Sequence, residues 1–178
     1  MDNDTILTLS SNLGQCLKSH NLMLTLAESC TGGMLAQYIT AIPGSSSWFE
    51  RSYVTYSNVA KQEMLGVSAQ TLSEHGAVSE EVAAEMALGA YQHSHAQVAI
   101  AITGIAGPNG GTVIKPVGTV CFGFSTPKGF NRGDGQQIMT QTQHFSGNRE
   151  TIRQQSVIHA LETLITLTLS LDLWNNCE

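Results

Sequence analysis

The sequence is poor in charged residues, and cations in particular are scarce. Only 12% of its 178 residues are charged, and 8 Lys and Arg stand against 14 Asp and Glu, for a net charge of −6. Proteins that bind nucleic acid neutralise phosphates with clustered Lys and Arg, and this chain has no such cluster. The composition therefore argues against nucleic acid as a partner, and each cation inside a motif carries unusual weight.

Cysteines are also few, and hydrophobic runs are short. Cys16, Cys30, Cys121 and Cys177 lie far apart and form no Cys-x-x-Cys pair, a spacing that indicates neither a zinc site nor a disulfide framework. No apolar run approaches the roughly 20 residues of a membrane span, and the acidic N-terminus does not resemble a signal peptide. We therefore expect a cytoplasmic protein with free thiols, no metal and no membrane partner.

The apolar content of 42% is enough for one sizeable core, so we expect a single domain over residues 1–178. Helical and strand-like patterns alternate early, and two strands follow each other late. The predicted helices cover residues 4–19, 34–42, 58–65, 69–75, 79–93 and 148–173. The first predicted strand begins at residue 22, and the other four cover residues 48–56, 97–103, 117–125 and 136–145. This order predicts an α/β fold: a single three-layer α/β/α domain with a mixed sheet and a late antiparallel hairpin.

The segment Ser29-Cys30-Thr31-Gly32-Gly33 lies where the first strand turns into a helix. The first N–H groups of a helix point outward with a partial positive charge, and they are able to hold an anion or a developing oxyanion. The paired glycines would let a ligand approach the backbone closely. The alternative is that Ser29 or Thr31 is a helix cap that stabilises by about 1 kcal/mol and does no chemistry.

Lys61 is a second candidate, because Ser57 or Asn58 caps the next predicted helix and Lys61 then falls in its first turn. A positive charge opposes the helix dipole there, and with burial this field would lower the Lys pKa below its ordinary value of about 10.4. A neutral Lys can act as a general base. Tyr56 ends the preceding strand and would point into the same cleft. The alternatives are a solvated surface Lys and a Tyr packed in the core.

Other candidates carry weaker signals. Cys30 has the helix-start position of a reactive thiol, but no His is placed as its partner, so a buried and inert Cys is favoured. The glycine-rich residues 104–111 are suited to cradling a phosphate, with Lys115 nearby to add charge, although no Gly-Lys-Ser/Thr of a P-loop ends them. None of the six histidines lies in a motif; those at positions 75, 93 and 95 have the spacing of helix ends.

Five segments recur together in one known family. They are Ala27-Glu28-Ser29-Cys30-Thr31-Gly32-Gly33, Tyr56-Ser57-Asn58 with Ala60-Lys61, His75-Gly76-Ala77-Val78-Ser79-Glu80, Thr103-Gly104-Ile105-Ala106-Gly107-Pro108 and Lys115-Pro116-Val117-Gly118-Thr119-Val120. In this order they resemble the CinA C-terminal domain family, in particular its stand-alone nicotinamide-nucleotide amidase members, over nearly the whole chain. The resemblance implies hydrolysis of the carboxamide of nicotinamide mononucleotide to nicotinate mononucleotide and ammonia, without a cofactor and in a homodimer or higher homo-oligomer.

The resemblance also assigns residues to this reaction. It matches Ser29 to the family's nucleophile and Tyr56 and Lys61 to its catalytic Tyr and Lys. We expect neutral Lys61 to take the proton of Ser29, through or alongside the Tyr56 hydroxyl, and an acyl-enzyme to form. The N–H groups at the Thr31-Gly32 helix start would hold the oxyanion. The other residues expected around the oxyanion and the substrate are Cys30, Gly33, Thr103, Gly104, Ala106, Gly107 and Arg149, the last five near the phosphate.

Two stretches depart from the family pattern. Thr112-Val113-Ile114 precedes Lys115 where a more polar stretch is expected, and Gly147-Asn148-Arg149 stands where relatives often have Gly-Asp-Arg. Neither departure touches Ser29, Tyr56 or Lys61. The alternative function is a nucleotide-binding sensor or partner module with lost or weak amidase activity, because retained motifs do not by themselves establish turnover.

Overall fold

The computed structural model describes residues 3–127 and 135–175, with side chains described up to residue 170. The helices are α1 (Asn3–Ser19), α2 (Met34–Thr40), α3 (Asn58–Leu65), α4 (Ala69–His75), α5 (Glu80–Gln92) and α6 (Arg149–Asn175). The strands are β1 (Leu24–Glu28), β2 (Phe49–Val54), β3 (Val98–Gly104), β4 (Thr119–Pro127) and β5 (Gln136–His144). Every predicted helix and strand is present in this order.

The five strands form one mixed sheet in the order β2-β1-β3-β4-β5. Strand β1 runs parallel to both of its neighbours, whereas β4 runs antiparallel to β3 and β5. Parallel pairs need a crossover connection, and helices α2 to α5 supply it. The predicted mixed sheet and late hairpin are confirmed, although the turn of that hairpin, at residues 128–134, lies outside the described residues.

Helices cover both faces of the sheet. One core packs α1, α2 and α6 against the face that presents Leu24 and Leu26, and a second packs α3, α4 and α5 against the face that presents Ala27. Successive residues of a strand point to opposite faces, so β1 contributes to both cores and is buried along its whole length. The predicted three-layer α/β/α arrangement is confirmed.

Several boundaries differ from the sequence-based expectation. The first strand starts at Leu24 instead of residue 22, and the second ends at Val54 instead of residue 56. Ser57, rather than Asn58, caps α3, because its hydroxyl accepts the N–H of Ala60 at 3.0 Å. The predicted cap of α5 is confirmed at Ser79. Short polar side chains at helix starts were therefore the most reliable boundary signals.

Candidate active site

The parallel strands bring three distant segments to one edge of the sheet. Glu28, the last residue of β1, is in register with Val54 and with Ile102. The residues that follow them, including Ser29 and Thr103, therefore lie side by side beyond the carboxyl ends of these strands, where α/β proteins commonly bind ligands. A cavity of about 190 Å³ opens there, lined by Ser29, Cys30, Tyr56, Asn58, Lys61, Ala77, Val78, Thr103, Gly104, Ala106 and Arg149.

Lys61 reaches Ser29 inside this cavity. Its Nζ lies 2.9 Å from the Ser29 Oγ and donates a second hydrogen bond to the carbonyl of Thr55 at 2.9 Å. The Lys61 residue is only 1% exposed, so the alternative of a solvated surface Lys is wrong. No carboxylate of the described residues forms an ion pair with it. Burial without a counter-ion lowers the pKa of Lys61 and favours the neutral amine.

Helix α2 is capped by Glu28, not by a hydroxyl. The Glu28 side chain is fully buried and accepts three backbone N–H groups at 2.9 to 3.1 Å, from Gly33, Leu35 and Ala36. The position before the helix makes no side-chain capping bond. The reading of Ser29 or Thr31 as a plain helix cap is therefore wrong. The sequence analysis missed this function of Glu28, although an acid just before a helix start is a recognised signal.

The turn between β1 and α2 leaves two backbone N–H groups unused. The N–H of Gly32 donates to the carbonyl of Ser29 at 3.0 Å, and that of Gly33 donates to the buried carboxylate. The Gly32 N–H was expected to be one of the oxyanion donors, but it is already engaged, as is the N–H of Gly33, and α2 begins only at Met34. Within the described part of the chain, the N–H groups of Cys30 and Thr31 donate to no other residue, so they are the donors open to a ligand.

Cys30 lines the cavity, but its thiol is unsuited to attack. The residue is buried, and this burial raises the pKa of Cys30 to about 12. A thiol with so high a pKa carries almost no thiolate at neutral pH. The expectation of a buried Cys is confirmed. Cys121 also has a free thiol, whereas Cys177 lies outside the described residues.

Tyr56 and Arg149 form a pair at the edge of the cavity. Tyr56 is 62% exposed, so the alternative that it packs in the core is wrong. Its hydroxyl accepts a hydrogen bond from Nη2 of Arg149 at 2.8 Å and makes none to Lys61 or Ser29. The Nη1 of Arg149 donates to the carbonyl of Gly107 at 2.8 Å. The predicted proton relay through Tyr56 therefore has no hydrogen-bonded path in this structure.

The glycine-rich loop after β3 supplies only part of the cavity. Thr103, Gly104 and Ala106 line it, whereas Gly107 is connected to it through Arg149. The Thr103 hydroxyl donates to the carbonyl of Ala77 at 2.7 Å and so ties the loop to the segment before α5. The expected phosphate cradle is thus a set of neutral groups beside one guanidinium.

Lys115 does not add charge to this cavity, contrary to expectation. Its Nζ donates to the carbonyls of His75 and Val78 at 2.7 and 2.6 Å, and the residue lines a separate cavity with Glu80 and Glu81. His75 is the last residue of α4, as predicted for a helix end. Lys115 therefore holds the segment that forms one wall of the cavity at Ser29.

The start of α6 carries two arginines that reach the site. The side chain of Asn148 caps the helix by accepting a hydrogen bond from the N–H of Thr151 at 2.9 Å. Asn is as good a helix cap as the Asp that the family pattern leads us to expect at this position. Arg149 and Arg153 are four residues apart and share one face. The Nη2 of Arg153 donates to the carbonyl of Thr31 at 2.6 Å. The sequence analysis missed Arg153, and its only signal was this spacing from Arg149.

The polar groups around the cavity are hydroxyls, an amine, a guanidinium and backbone amides. Within residues 3–127 and 135–175, no three His, Cys, Asp or Glu side chains are grouped to hold a metal ion. No helix in the same residues has the length and apolar content needed to cross a membrane. The arrangement of a buried amine on a serine, beside two unused N–H groups, is suited to acyl transfer.

Known proteins resemble this chain over most of its length. A model of the CinA C-terminal domain matches residues 6–168. The chain is 51% identical over 164 residues to nicotinamide-nucleotide amidohydrolase PncC of Escherichia coli K12, which covers 92% of this chain and 95% of that protein. The protein of the same name from Pseudomonas putida is 46% identical, with 92% and 98% covered. The crystal structure of competence/damage inducible protein CihA from Agrobacterium tumefaciens has a TM-score of 0.85 and 41% identity, covering 92% of this chain and 95% of that chain.

Proposed function

The chain belongs to the CinA C-terminal domain family, and from this premise and the geometry at Ser29 we propose that it is a nicotinamide-nucleotide amidase. It hydrolyses the carboxamide of nicotinamide mononucleotide to nicotinate mononucleotide and ammonia. Relatives that are 51% and 46% identical bear the name of this activity. The observation that carries the proposal is the buried Lys61 amine 2.9 Å from the Ser29 Oγ.

The first step is the activation of Ser29. Burial favours neutral Lys61, which has one lone pair and two N–H bonds. One N–H donates to the Thr55 carbonyl, and this bond orients the lone pair toward the Ser29 hydroxyl. Lys61 takes the serine proton directly as Ser29 attacks the carboxamide carbon, so no relay through Tyr56 is needed.

The second step is the stabilisation of the tetrahedral intermediate. Its oxyanion accepts hydrogen bonds from the unused N–H groups of Cys30 and Thr31. A donor on the residue after the nucleophile is a recurring solution in serine hydrolases. The Lys61 ammonium then gives its proton to the carboxamide nitrogen, the C–N bond breaks, and the nitrogen leaves as ammonia. Water, activated by the same amine, hydrolyses the acyl-enzyme and frees Ser29.

Arg149 binds the phosphate of the substrate in this proposal, next to Thr103, Gly104 and Ala106. It is the only cation among the cavity residues besides Lys61, and a guanidinium pairs well with phosphate oxygens. Its bonds to Gly107 and Tyr56 hold it in place. Tyr56 therefore positions Arg149 and contacts the substrate, and it takes no part in proton transfer.

The proposal includes a cytoplasmic homo-oligomer built from a single amidase domain over residues 1–178, as expected from the sequence. Exposed apolar side chains at Val54 and Val59 support an assembly that covers them. Size-exclusion chromatography with light scattering measures this directly. A monomer at micromolar concentration would contradict the homo-oligomer without touching the proposed reaction.

Ammonia release from nicotinamide mononucleotide tests the proposed function. We expect turnover by the unaltered protein, no turnover by Ser29→Ala and near-normal turnover by Cys30→Ala, since the Cys30 thiol is protonated and its N–H remains. Circular dichroism checks that both variants fold. Mononucleotide binding without ammonia release would instead identify a nucleotide-binding sensor or partner module, and a dead Cys30→Ala beside an active Ser29→Ala would reverse the nucleophile.

A further inference from the structure

The turn that carries Ser29 is held from two sides by charged side chains. Glu28 accepts the N–H groups at the start of α2, on one side of the turn. Arg153 approaches from α6, and its Nη2 donates to the carbonyl of Thr31. The same Nη2 would be 3.7 Å from a Cβ at Gly32, so the guanidinium lies against the turn itself.

The environment of Arg153 is unusual for a guanidinium. No carboxylate of the described residues pairs with it, and its Nε is buried without a hydrogen-bond partner. A partly desolvated cation without a counter-ion lowers the stability of the folded protein. Such exceptions to local rules are expected where function opposes stability. Arg153 also lies outside the residues that line the cavity.

Two peptide groups connect Arg153 to the proposed oxyanion. Arg153 binds the carbonyl of Thr31, and the N–H of the same peptide group is that of Gly32. This N–H donates to the carbonyl of Ser29, whose peptide group ends in the N–H of Cys30. Because each peptide group is planar, fixing its carbonyl also fixes the direction of its N–H.

The connection carries charge as well as position. Hydrogen bonds arranged in a chain polarise one another. A cation on the Thr31 carbonyl makes the Gly32 N–H a stronger donor, and the carbonyl of Ser29 then withdraws more charge from the Cys30 N–H. The positive charge of Arg153 is thereby transmitted to the group that meets the oxyanion.

We propose that Arg153 is a positioning residue for the reaction at Ser29, because through these two linked peptide groups it orients and polarises the Cys30 N–H. This inference rests on the proposed function. It makes Arg153 important for the rate of the chemical step and unimportant for substrate affinity. It also leaves Lys61 unaffected, since no contact joins the two side chains.

The test compares Arg153→Met and Arg153→Lys with Arg51→Met, a control that removes the same charge from β2, where Arg51 binds Glu50. For Arg153→Met we expect kcat to fall by about ten- to a hundredfold, as misplacing one oxyanion donor does. KM should stay within about twofold, and the pH dependence should keep its midpoint. Arg153→Lys should recover part of the loss, because an ammonium can still donate to Thr31. Arg51→Met should retain the unaltered kcat.

Three results would overturn the inference. They are an unchanged kcat with only a lower melting temperature, a raised KM at unchanged kcat, and Arg153→Lys as slow as Arg153→Met while folded. If Arg153→Met does not fold, Arg153→Gln replaces it. Labelling by a fluorophosphonate, in which Ser29 Oγ displaces fluoride from phosphorus, separates the two proposals. If the unaltered protein is labelled but releases no ammonia, the proposed function fails, and Arg153→Met must still label more slowly for this inference to stand.

Discussion

In the proposed reaction, the buried position of Lys61 lowers the stability of the folded protein and favours the neutral amine that acts as the base. Lys61 is 1% exposed on the inner face of α3, a position that packing alone would give to an apolar side chain. Burial lowers the pKa of Lys61 in the folded protein. At pH values between this pKa and the pKa of Lys61 in the unfolded chain, the unfolded chain binds a proton that the folded protein does not. Stability from this position therefore rises with pH in that window and is lower at neutral pH.

The stability effect of Lys61 can be measured with Lys61→Met. Met nearly matches the length of the Lys stem and needs no proton. We expect this variant to be inactive yet to melt no lower than the unaltered protein at pH 7, because a desolvated amine is removed. Thermal unfolding followed by circular dichroism measures it. A clear drop in melting temperature would show that the two hydrogen bonds of Lys61 outweigh its desolvation.

The proposed catalytic function of Lys61 is tested by the Lys61→Arg variant and by the pH dependence of the rate. A general base acts only when unprotonated, so activity should rise with pH and then level off. The midpoint of this rise should lie below the ordinary Lys pKa of about 10.4. Lys61→Arg should be nearly as inactive as Lys61→Met, because a guanidinium keeps its proton. The rates of the unaltered protein and of Lys61→Arg at pH 7.5 and pH 9 distinguish a general base from a Lys that acts only through its charge. A substantially active Lys61→Arg would mean that the Lys acts only through its charge.

At the scale of elements, the packing of α3 on α5 sets the position of Lys61. Lys61 and Leu65 share the buried face of α3, and a Cβ at Gly89 of α5 would lie 2.0 Å from the Leu65 carbonyl. Gly89→Ala should therefore push α3 outward, which would lower both the melting temperature and kcat.

Gly14→Ala is the matched control for Gly89→Ala. A Cβ at Gly14 would meet Trp48 at 2.7 Å, on the other face of the sheet. Overpacking of this kind typically lowers the free energy of unfolding by about 1–3 kcal/mol. The melting temperature of Gly14→Ala should therefore fall while its kcat is retained. Equal loss of kcat in both variants would contradict the specific effect of α3 on Lys61. Circular dichroism and ammonia release measure the two quantities.

Replacement of a glycine in the loop after β3 is a poor test of the phosphate site. Gly107 has a φ of +79°, and a Cβ there would lie 2.6 Å from Val117, so Gly107→Val would disturb folding as well as binding. Arg149→Met is the cleaner test of the phosphate site. We expect KM for nicotinamide mononucleotide to rise at least tenfold with a smaller change in kcat.

The nucleoside without phosphate is the control for Arg149→Met. Its kcat/KM should be low in the unaltered protein and should change little in the variant, because the group that Arg149 binds is missing. An equal loss on both substrates would exclude Arg149 as the phosphate-binding residue and point to a structural effect through Gly107 and Tyr56.

At the scale of the whole molecule, the two cores should unfold together. Strand β1 contributes Leu24 and Leu26 to one core and Ala27 to the other, so neither can be lost alone. Trp48→Ala removes a fully buried side chain from the first core and should destabilise the protein by about 3–5 kcal/mol. Urea unfolding should still show one transition by circular dichroism and by activity. Separate midpoints would contradict cooperative unfolding.

Much of the fold was predictable because its signals are local. The alternation of helices and strands, the caps at Ser57 and Ser79 and the buried strand β3 all follow from spacing within a few residues. The contact of Ser29 with Lys61 was expected from the resemblance to the CinA C-terminal domain family, and the structure makes it by bringing the ends of two parallel strands to one edge of the sheet.

The remaining parts of the site were decided by contacts between residues distant in the chain. Arg153 binds Thr31 across 122 positions and Arg149 binds Tyr56 across 93, and no local pattern carries such information. Glu28 differs, since its partners are near in sequence, but its capping depends on the exact path of the turn. The sequence by itself determined which helices and strands form, because propensity and periodicity are local. Tertiary structure alone decided which N–H groups stay free for a ligand, because each hydrogen bond depends on the full three-dimensional packing around it.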